Sequence, residues 1–429
     1  MMLVPVVARA DTTLQSTAPE SIGMSDATLA QLNPLVEGLI AKGDMPGAVV
    51  LIVHKGFIVY RKAFGQRALF PTPQPNALDT LYDLASMSKA IGTATAVLKL
   101  VEEGEIRLWD RVAFYDPAFA QNGKEQVTIE ELLDHSAGLP SALNEPQSVL
   151  PAAQGEALVD AMPLHFAPGS RYEYCNTCFI ELARIVRLVS KKSIAKFTTE
   201  YIFAPLGLAH SMMFDPPSTL FSRISPEAPG GPSGYQRGRF IIKGFGPIGA
   251  EGHAGLFGTA DAIAAYAQML LNGGTLNDVR ILSPATVTAM LRPYYLGRAS
   301  QRIGDVRGLG WDEATTGSSN RGDLFGFGGF GHTGSTGCSL WVDPATQTIA
   351  VVLTNSAHSP HSIDDDIIRL YSKVSTIAAA AIIDPNTHAA MKLQAAQWSA
   401  QVAAQAKGFD AWAARDESLW QATGKGSPY

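Results

Sequence analysis

Ala48-Val49-Val50-Leu51-Ile52-Val53-His54-Lys55-Gly56-Phe57-Ile58-Val59-Tyr60 is the stretch that decides the fold. Its opening apolar run is short and rich in β-branched residues, which reads as a strand buried on both faces. Lys55-Gly56 is a two-residue turn of the kind that joins neighbouring antiparallel strands. Residues 57–64 are then the return strand, and an antiparallel sheet starts here.

Upstream, Ser25 precedes Leu29, Leu32, Leu35, Leu39 and Ile40, an amphipathic helix that stops at Gly43. Pro34 lies inside it and is expected to kink it or break it in two. Downstream, from about residue 86 to 310, the pattern is helices joined by Pro and Gly turns. Ile91, Ala94, Leu98 and Val101 form one helical stripe, and 130–135, 177–189 and 260–271 read as further helices. Strands return at 338–342 and 348–354 with a turn at 343–346. Ser362 with Asp364, Asp365 and Asp366 then starts a helix running to about Ile383. Side-chain oxygens and negative charge suit a helix N-terminus, so capping is preferred there to a metal cluster.

Strands at both ends and helices between predict an α/β (α+β) fold: an antiparallel sheet flanked by helices, built from N- and C-terminal segments, with an inserted all-helical lobe. The expected division is an α/β lobe from 21–85 and 311–385, a mainly helical lobe at 86–310, and an Ala- and Gln-rich tail at 386–429. The tail is expected to be helical with a flexible end from Gly424. A cleft between lobes is the expected place for a small-molecule site. Residues 1–20 are read as a flexible start or the remnant of an export signal, because an apolar run precedes Ala8-Arg9-Ala10. A periplasmic or secreted location is therefore expected over a cytoplasmic one.

Composition excludes several classes. The 429 residues carry 39 acidic and 33 basic side chains, a net charge of −6 and no basic patch, which argues against nucleic-acid binding. Apolar residues are 46% and charged residues 17%, the balance of a globular chain rather than a disordered one. No apolar run is long enough to span a bilayer. Three cysteines, Cys175, Cys178 and Cys338, are too few for a disulfide scaffold. Cys175-x-x-Cys178 lacks the second ligand pair that zinc would need, and packing cysteines are expected.

Three short elements can carry chemistry. Ser86-Met87-Ser88-Lys89 opens the Ile91 helix, and residues three apart share a helix face, so Ser86 Oγ and Lys89 Nζ can meet. A helix N-terminus favours a developing alkoxide and disfavours a charged amine, and a neutral amine can take the serine proton. Ser193-Ile194-Ala195-Lys196 has the same spacing beside Lys191-Lys192 and reads as a solvated helix start. Tyr174-Cys175-Asn176 leads into another helix. A tyrosine beside a lysine can have its phenol pKa lowered and move protons, while Asn176 can orient Lys89 or contact substrate. A core tyrosine with Asn as a helix cap is the competing reading. His332-Thr333-Gly334 lies in the glycine-rich stretch 326–337, just before the strand at 338–342. Glycines there let substrate approach the backbone, and a strand edge offers N–H groups for an oxyanion hole.

In this order, S-x-x-K, Y-x-N and H-T-G, the chain resembles the β-lactamase and penicillin-binding superfamily of serine hydrolases. The Y-x-N form is similar to the branch of class C β-lactamases, DD-peptidases and family VIII esterases. The segments Leu132-Leu133-Asp134-His135-Ser136-Ala137-Gly138-Leu139 and Gly252-His253-Ala254-Gly255 resemble it too. The match spans about residues 20 to 380 and leaves the tail aside.

The resemblance implies a β-lactamase/transpeptidase-like fold and an acyl-enzyme on Ser86. Lys89 would be the activating amine and Tyr174 the partner base and leaving-group acid. Asn176 would contact substrate and Lys89, while His332, Thr333 and Gly334 line the pocket. The N–H groups of Ser86 and Ser335 would form the oxyanion hole. His135 and His253 are read as structural. His332 stands where most β-lactamases carry Lys, and a mostly neutral imidazole gives weaker carboxylate recognition. The expected enzyme is therefore a carboxylesterase-like hydrolase of small esters. The alternatives are a DD-peptidase, D-aminopeptidase or weak β-lactamase acting on amides, or a non-catalytic penicillin-binding or sensor-type homologue. No metal or organic cofactor is expected, nor nucleic acid or a stable membrane span; the oligomeric state stays open.

Overall fold

In a computed structural model, the described residues are 12–141, 152–226, 252–297, 304–359 and 364–423. Nine strands form the main sheet: β1 Gly47–His54, β2 Phe57–Ala68, β3 Gln74–Pro75, β4 Tyr294–Tyr295, β5 Val306–Arg307, β6 Asp312–Ala314, β7 Phe330–Gly334, β8 Cys338–Asp343 and β9 Thr348–Thr354. Their spatial order is β3-β2-β1-β9-β8-β7-β6-β5-β4, antiparallel throughout. The β1–β2 hairpin turns on Lys55 and Gly56, with φ of 48° and 83°. Two successive positive φ values match the right-handed twist of the paired strands.

Every residue of β1 is buried, and its period-2 alternation divides it between two cores. Val49, Leu51 and Val53 face the large core shared with Ala260–Leu271 and the helical segment. Ala48, Val50 and Ile52 face a second core made with α1 (Leu32–Lys42) and α2 (Asp364–Ala380). The result is a sheet sandwiched by helices. The break anticipated near Pro34 falls at Ala30-Gln31, which puts Pro34 in the first turn of α1, where its missing N–H is tolerated. Ser25 caps the short helix before the break, and Gly43 closes α1 at φ 84°.

Two expectations need correction, and one strand was not anticipated. The sheet takes in β4 and β5, which lie inside the stretch assigned to the helical lobe; two-residue strands are too short to show a period. The glycine-rich stretch supplies a strand of its own, with His332 in β7 paired with Leu340. The flanking glycines conceal that strand. Cys175 and Cys178 are joined by a disulfide, and Cys338 is buried outside it. Cys175 caps the helix α3 (Asn176–Ser190), so an i, i+3 spacing brings the two sulfurs together with Cα atoms 5.4 Å apart.

Residues 387–423 form one helix, α4 (Thr387–Thr423), lying against the β4 edge. Trp398 anchors it, donating from Nε1 to the buried Glu313 Oε2 at 2.7 Å. Residues 1–11, Ser362 and the end from Gly424 lie outside the described residues. No described helix is long and apolar enough to cross a membrane.

Candidate active site

A small three-stranded sheet (Tyr82–Asp83, Leu256–Gly258 and Met212–Phe214) delivers the chain to Ser86. Asp83 Oδ1 accepts the Ala85 N–H at 2.7 Å, and Ala85 is held at φ 45°. A left-handed non-glycine residue is uncommon and concentrates at functional sites. The turn aims the half-buried Ser86 into a cavity of about 610 Å³ lined also by Tyr174, His332, Thr333, Gly334 and Ser335. A π-helical segment, Lys89–Ala94, follows directly, a feature frequent at functional sites.

Lys89 is fully buried. Its Nζ lies 3.1 Å from Ser86 Oγ and donates to the His253 carbonyl at 2.9 Å. Thr93 Oγ1 donates to the Gly252 carbonyl, and the Leu256 N–H donates to Ser88 Oγ, so the 252–256 segment is pinned along the helix that follows Ser86. Burial, then the nearby Arg307 charge, pushes the Lys89 amine well below its usual range. A neutral amine next to a serine hydroxyl is competent to take its proton.

The Tyr174 phenol hydrogen-bonds to Ser86, and burial raises its pKa. The lowering anticipated from a neighbouring lysine does not occur, because burial outweighs it. Lys89 Nζ sits 4.9 Å from the centre of the Tyr174 ring. Asn176 does not reach Lys89: its Nδ2 is 3.5 Å from Ser141 Oγ, and its buried Oδ1 has no hydrogen-bond partner among the described residues.

β7 closes the other side. A Cβ on Gly334 would stand 2.4 Å from the Leu84 carbonyl oxygen, so only glycine lets this strand meet the 84–85 backbone. Thr336 Oγ1 donates to the Asp83 carbonyl at 2.7 Å, which fastens the strand end beside Ser86. His332 is buried and neutral, its pKa lowered to about 3 by burial and then by Arg307 and Lys89.

Sequence reasoning missed one contributor, Arg307, and read another, His135, as structural. His135, fully buried, stacks on Tyr174 with ring centres 4.7 Å apart, and its Nδ1 accepts the Cys175 N–H at 2.9 Å. Arg307 on β5 is 2% exposed yet lines the same cavity. Its Nη1 donates to Tyr172 Oη at 3.3 Å and lies 3.9 Å from Asp312, while Nε and Nη2 have no hydrogen-bond partner among the described residues. Burial alone would lower its pKa, but Tyr172 and Asp312 hold the guanidinium charged. No spacing or motif marks Arg307 in the sequence.

Ser193 is a helix cap, accepting the Lys196 N–H at 3.3 Å, as its solvated setting implies. Three buried carboxylates, Asp116, Asp160 and Glu181, lie close enough to share a cation. Arg184 already occupies that role, with Nε 2.6 Å from Asp116 and Nη1 2.8 Å from Asp160.

A β-lactamase family model matches residues 32–373. The chain is 30% identical over 383 residues to a putative D-alanyl-D-alanine carboxypeptidase of Escherichia coli K12, covering 81% of this chain and 86% of that one. A penicillin-binding protein homologue from Caulobacter crescentus superposes with a TM-score of 0.68 at 25% identity, over 84% of this chain and 99% of its own. A family VIII carboxylesterase superposes with a TM-score of 0.64 at 22% identity, over 82% and 98%, a likeness of fold. The chain belongs to the β-lactamase family and is a serine hydrolase of that family.

Proposed function

We propose that the enzyme cleaves an amide or ester bond whose leaving side carries a free carboxylate, as a D-alanyl-D-alanine carboxypeptidase does, through an acyl-enzyme on Ser86. The observation that carries this reading is Arg307, a buried, charged guanidinium with two unpartnered nitrogens in the cavity of Ser86. An unsatisfied buried guanidinium is costly, and a bidentate carboxylate is its natural complement. It supplies the charge whose absence at His332 turned the sequence reading towards neutral esters. The names of the relatives agree with it.

Neutral Lys89 takes the Ser86 proton as Oγ attacks the carbonyl carbon. The Ser86 and Ser335 N–H groups stabilise the oxyanion. Tyr174, protonated because it is buried, gives its proton to the leaving nitrogen or oxygen and is reprotonated from Lys89 across Ser86. The Asn176 amide and Thr333 line up the acyl side. After the leaving group departs, neutral Lys89 takes a proton from the attacking water and returns it to Ser86 Oγ as the acyl product is released.

A small-ester hydrolase is the second reading, favoured by the neutral His332. Turnover of an N-acyl-D-Ala-D-Ala peptide compared with p-nitrophenyl butyrate separates the two. Peptide hydrolysis with release of D-alanine supports the first. Ester turnover with no peptide cleavage overturns it.

A further inference from the structure

A second cavity, of about 530 Å³, lies apart from Ser86, between the 109–136 segment, β4 and helix α4. Its size is that of a small-molecule site. Helix α4 stands beyond the end of the family match at residue 373, so the catalytic domain alone does not make this cavity.

The walls are aromatic. Tyr294, Tyr295, Phe409 and Trp412 line it, with the exposed Trp109 at the side. Phe409 packs edge-on to Tyr295 at 5.3 Å and tilts against Trp412 at 5.7 Å, which fixes the rings. Gln405 ties α4 to the opposite wall, accepting from the Tyr295 N–H at 3.1 Å and donating to the Pro293 carbonyl at 2.6 Å. The cavity is therefore preformed.

Its floor is acidic. Glu130, Glu131 and Asp134 line it against a single lining cation, Arg111; Arg292 stacks behind, over the Tyr294 ring at 4.6 Å. Glu130 Oε2 is buried with no hydrogen-bond partner among the described residues. Asp134 is 4% exposed, and the Ser136 N–H and hydroxyl both bind its Oδ1. Burial drives the Asp134 carboxyl up to about 8 and the Glu130 carboxyl up as well. Aromatic faces attract a cation through their quadrupoles, and a cation entering beside these two carboxyls favours their ionised forms, which then add to that attraction.

We infer that this cavity is a binding site for an organic ammonium ion, an amine or quaternary nitrogen on an apolar body, distinct from the catalytic site. The cationic nitrogen sits over the Glu130 and Asp134 carboxylates, and the apolar body lies between Tyr294, Phe409 and Trp412. The site borders the Asp134-His135-Ser136 turn whose histidine stacks on Tyr174, so its occupant lies one residue from the catalytic wall.

Titration of the full chain with phenyltrimethylammonium, followed by tryptophan fluorescence and calorimetry, tests the inference against the neutral isostere tert-butylbenzene. The cation is expected to bind at least about tenfold more tightly than the isostere. Glu130→Gln and Trp412→Ala are each expected to weaken it by about tenfold or more, with ester turnover at Ser86 unchanged. Equal binding of the isostere, a preference for benzenesulfonate, or no saturable signal up to about 10 mM cation would overturn it. Unaltered affinity in a folded Glu130→Gln protein would overturn it as well.

Discussion

The His135 ring stacks on the Tyr174 ring at 4.7 Å with the planes 29° apart, while its Nδ1 takes the N–H of Cys175. One buried imidazole therefore holds both the phenol of the active site and the first turn of α3. His135→Ala leaves that N–H unsatisfied and opens a cavity beneath Tyr174, costing about 2–4 kcal/mol of stability. On the proposed role of Tyr174 as leaving-group acid, kcat should fall more than KM rises. His135→Gln, which keeps an acceptor, should restore part of kcat. Thermal melts and steady-state kinetics on the two variants check this.

On the proposed role of Lys89 as base, its lowered pKa sets the acid side of the pH profile. Its folded pKa lies well below 10.5, so the base form is present above that lowered value and lost as pH falls through it. The pH profile of kcat/KM should therefore be flat through the alkaline range, with its limb on the acid side. A limb near the ordinary lysine pKa would show a charged Lys89. His332, neutral down to about 3, should add no inflection near 6.5.

Gly334→Ala should be among the most damaging substitutions outside the nucleophile. The new methyl would stand 2.4 Å from the Leu84 oxygen and 3.2 Å from the Ala85 Cβ, so β7 must move away from Ser86. An ångström of misplacement is enough for a loss of about 100-fold in kcat/KM. Circular dichroism should stay native, since the shift is local.

Glu313 ties stability to pH. Burial drives its carboxyl up to about 8, so the folded chain holds a proton that the unfolded chain has released, and stability falls as pH rises from about 4.5 to 8. Glu313→Gln keeps an oxygen acceptor for Trp398 and removes that loss. Relative to the wild type, the variant should gain about 2–4 kcal/mol at pH 8.5 and little at pH 5. Equal urea midpoints at both pH values would contradict the assignment.

The legible parts of this chain are those where one local pattern suffices. The 48–53 run and the Lys55-Gly56 turn announce a buried antiparallel sheet, because alternation, β-branching and turn chemistry agree there. Ser86 and Lys89 are legible because i, i+3 spacing on a helix is geometry in one dimension. Arg307 is not, since its role comes from burial beside a serine 221 positions earlier in the chain, on a strand of two residues. The charge state of Tyr174 was misjudged for a related reason. Burial outweighs the proximity of a lysine there, and burial is invisible in sequence. The aromatic cavity under α4 depends on where a helix docks, which composition does not reveal.

Arg307 is proposed to read a substrate carboxylate beside Ser86. The decisive measurement is kcat/KM of the wild type and of Arg307→Gln on an N-acyl-D-Ala-D-Ala peptide and on p-nitrophenyl acetate. The predicted result is a loss of about 100-fold or more on the peptide, with the uncharged ester within a few-fold of wild type. Equal losses on both substrates, or no loss on the peptide, would contradict it.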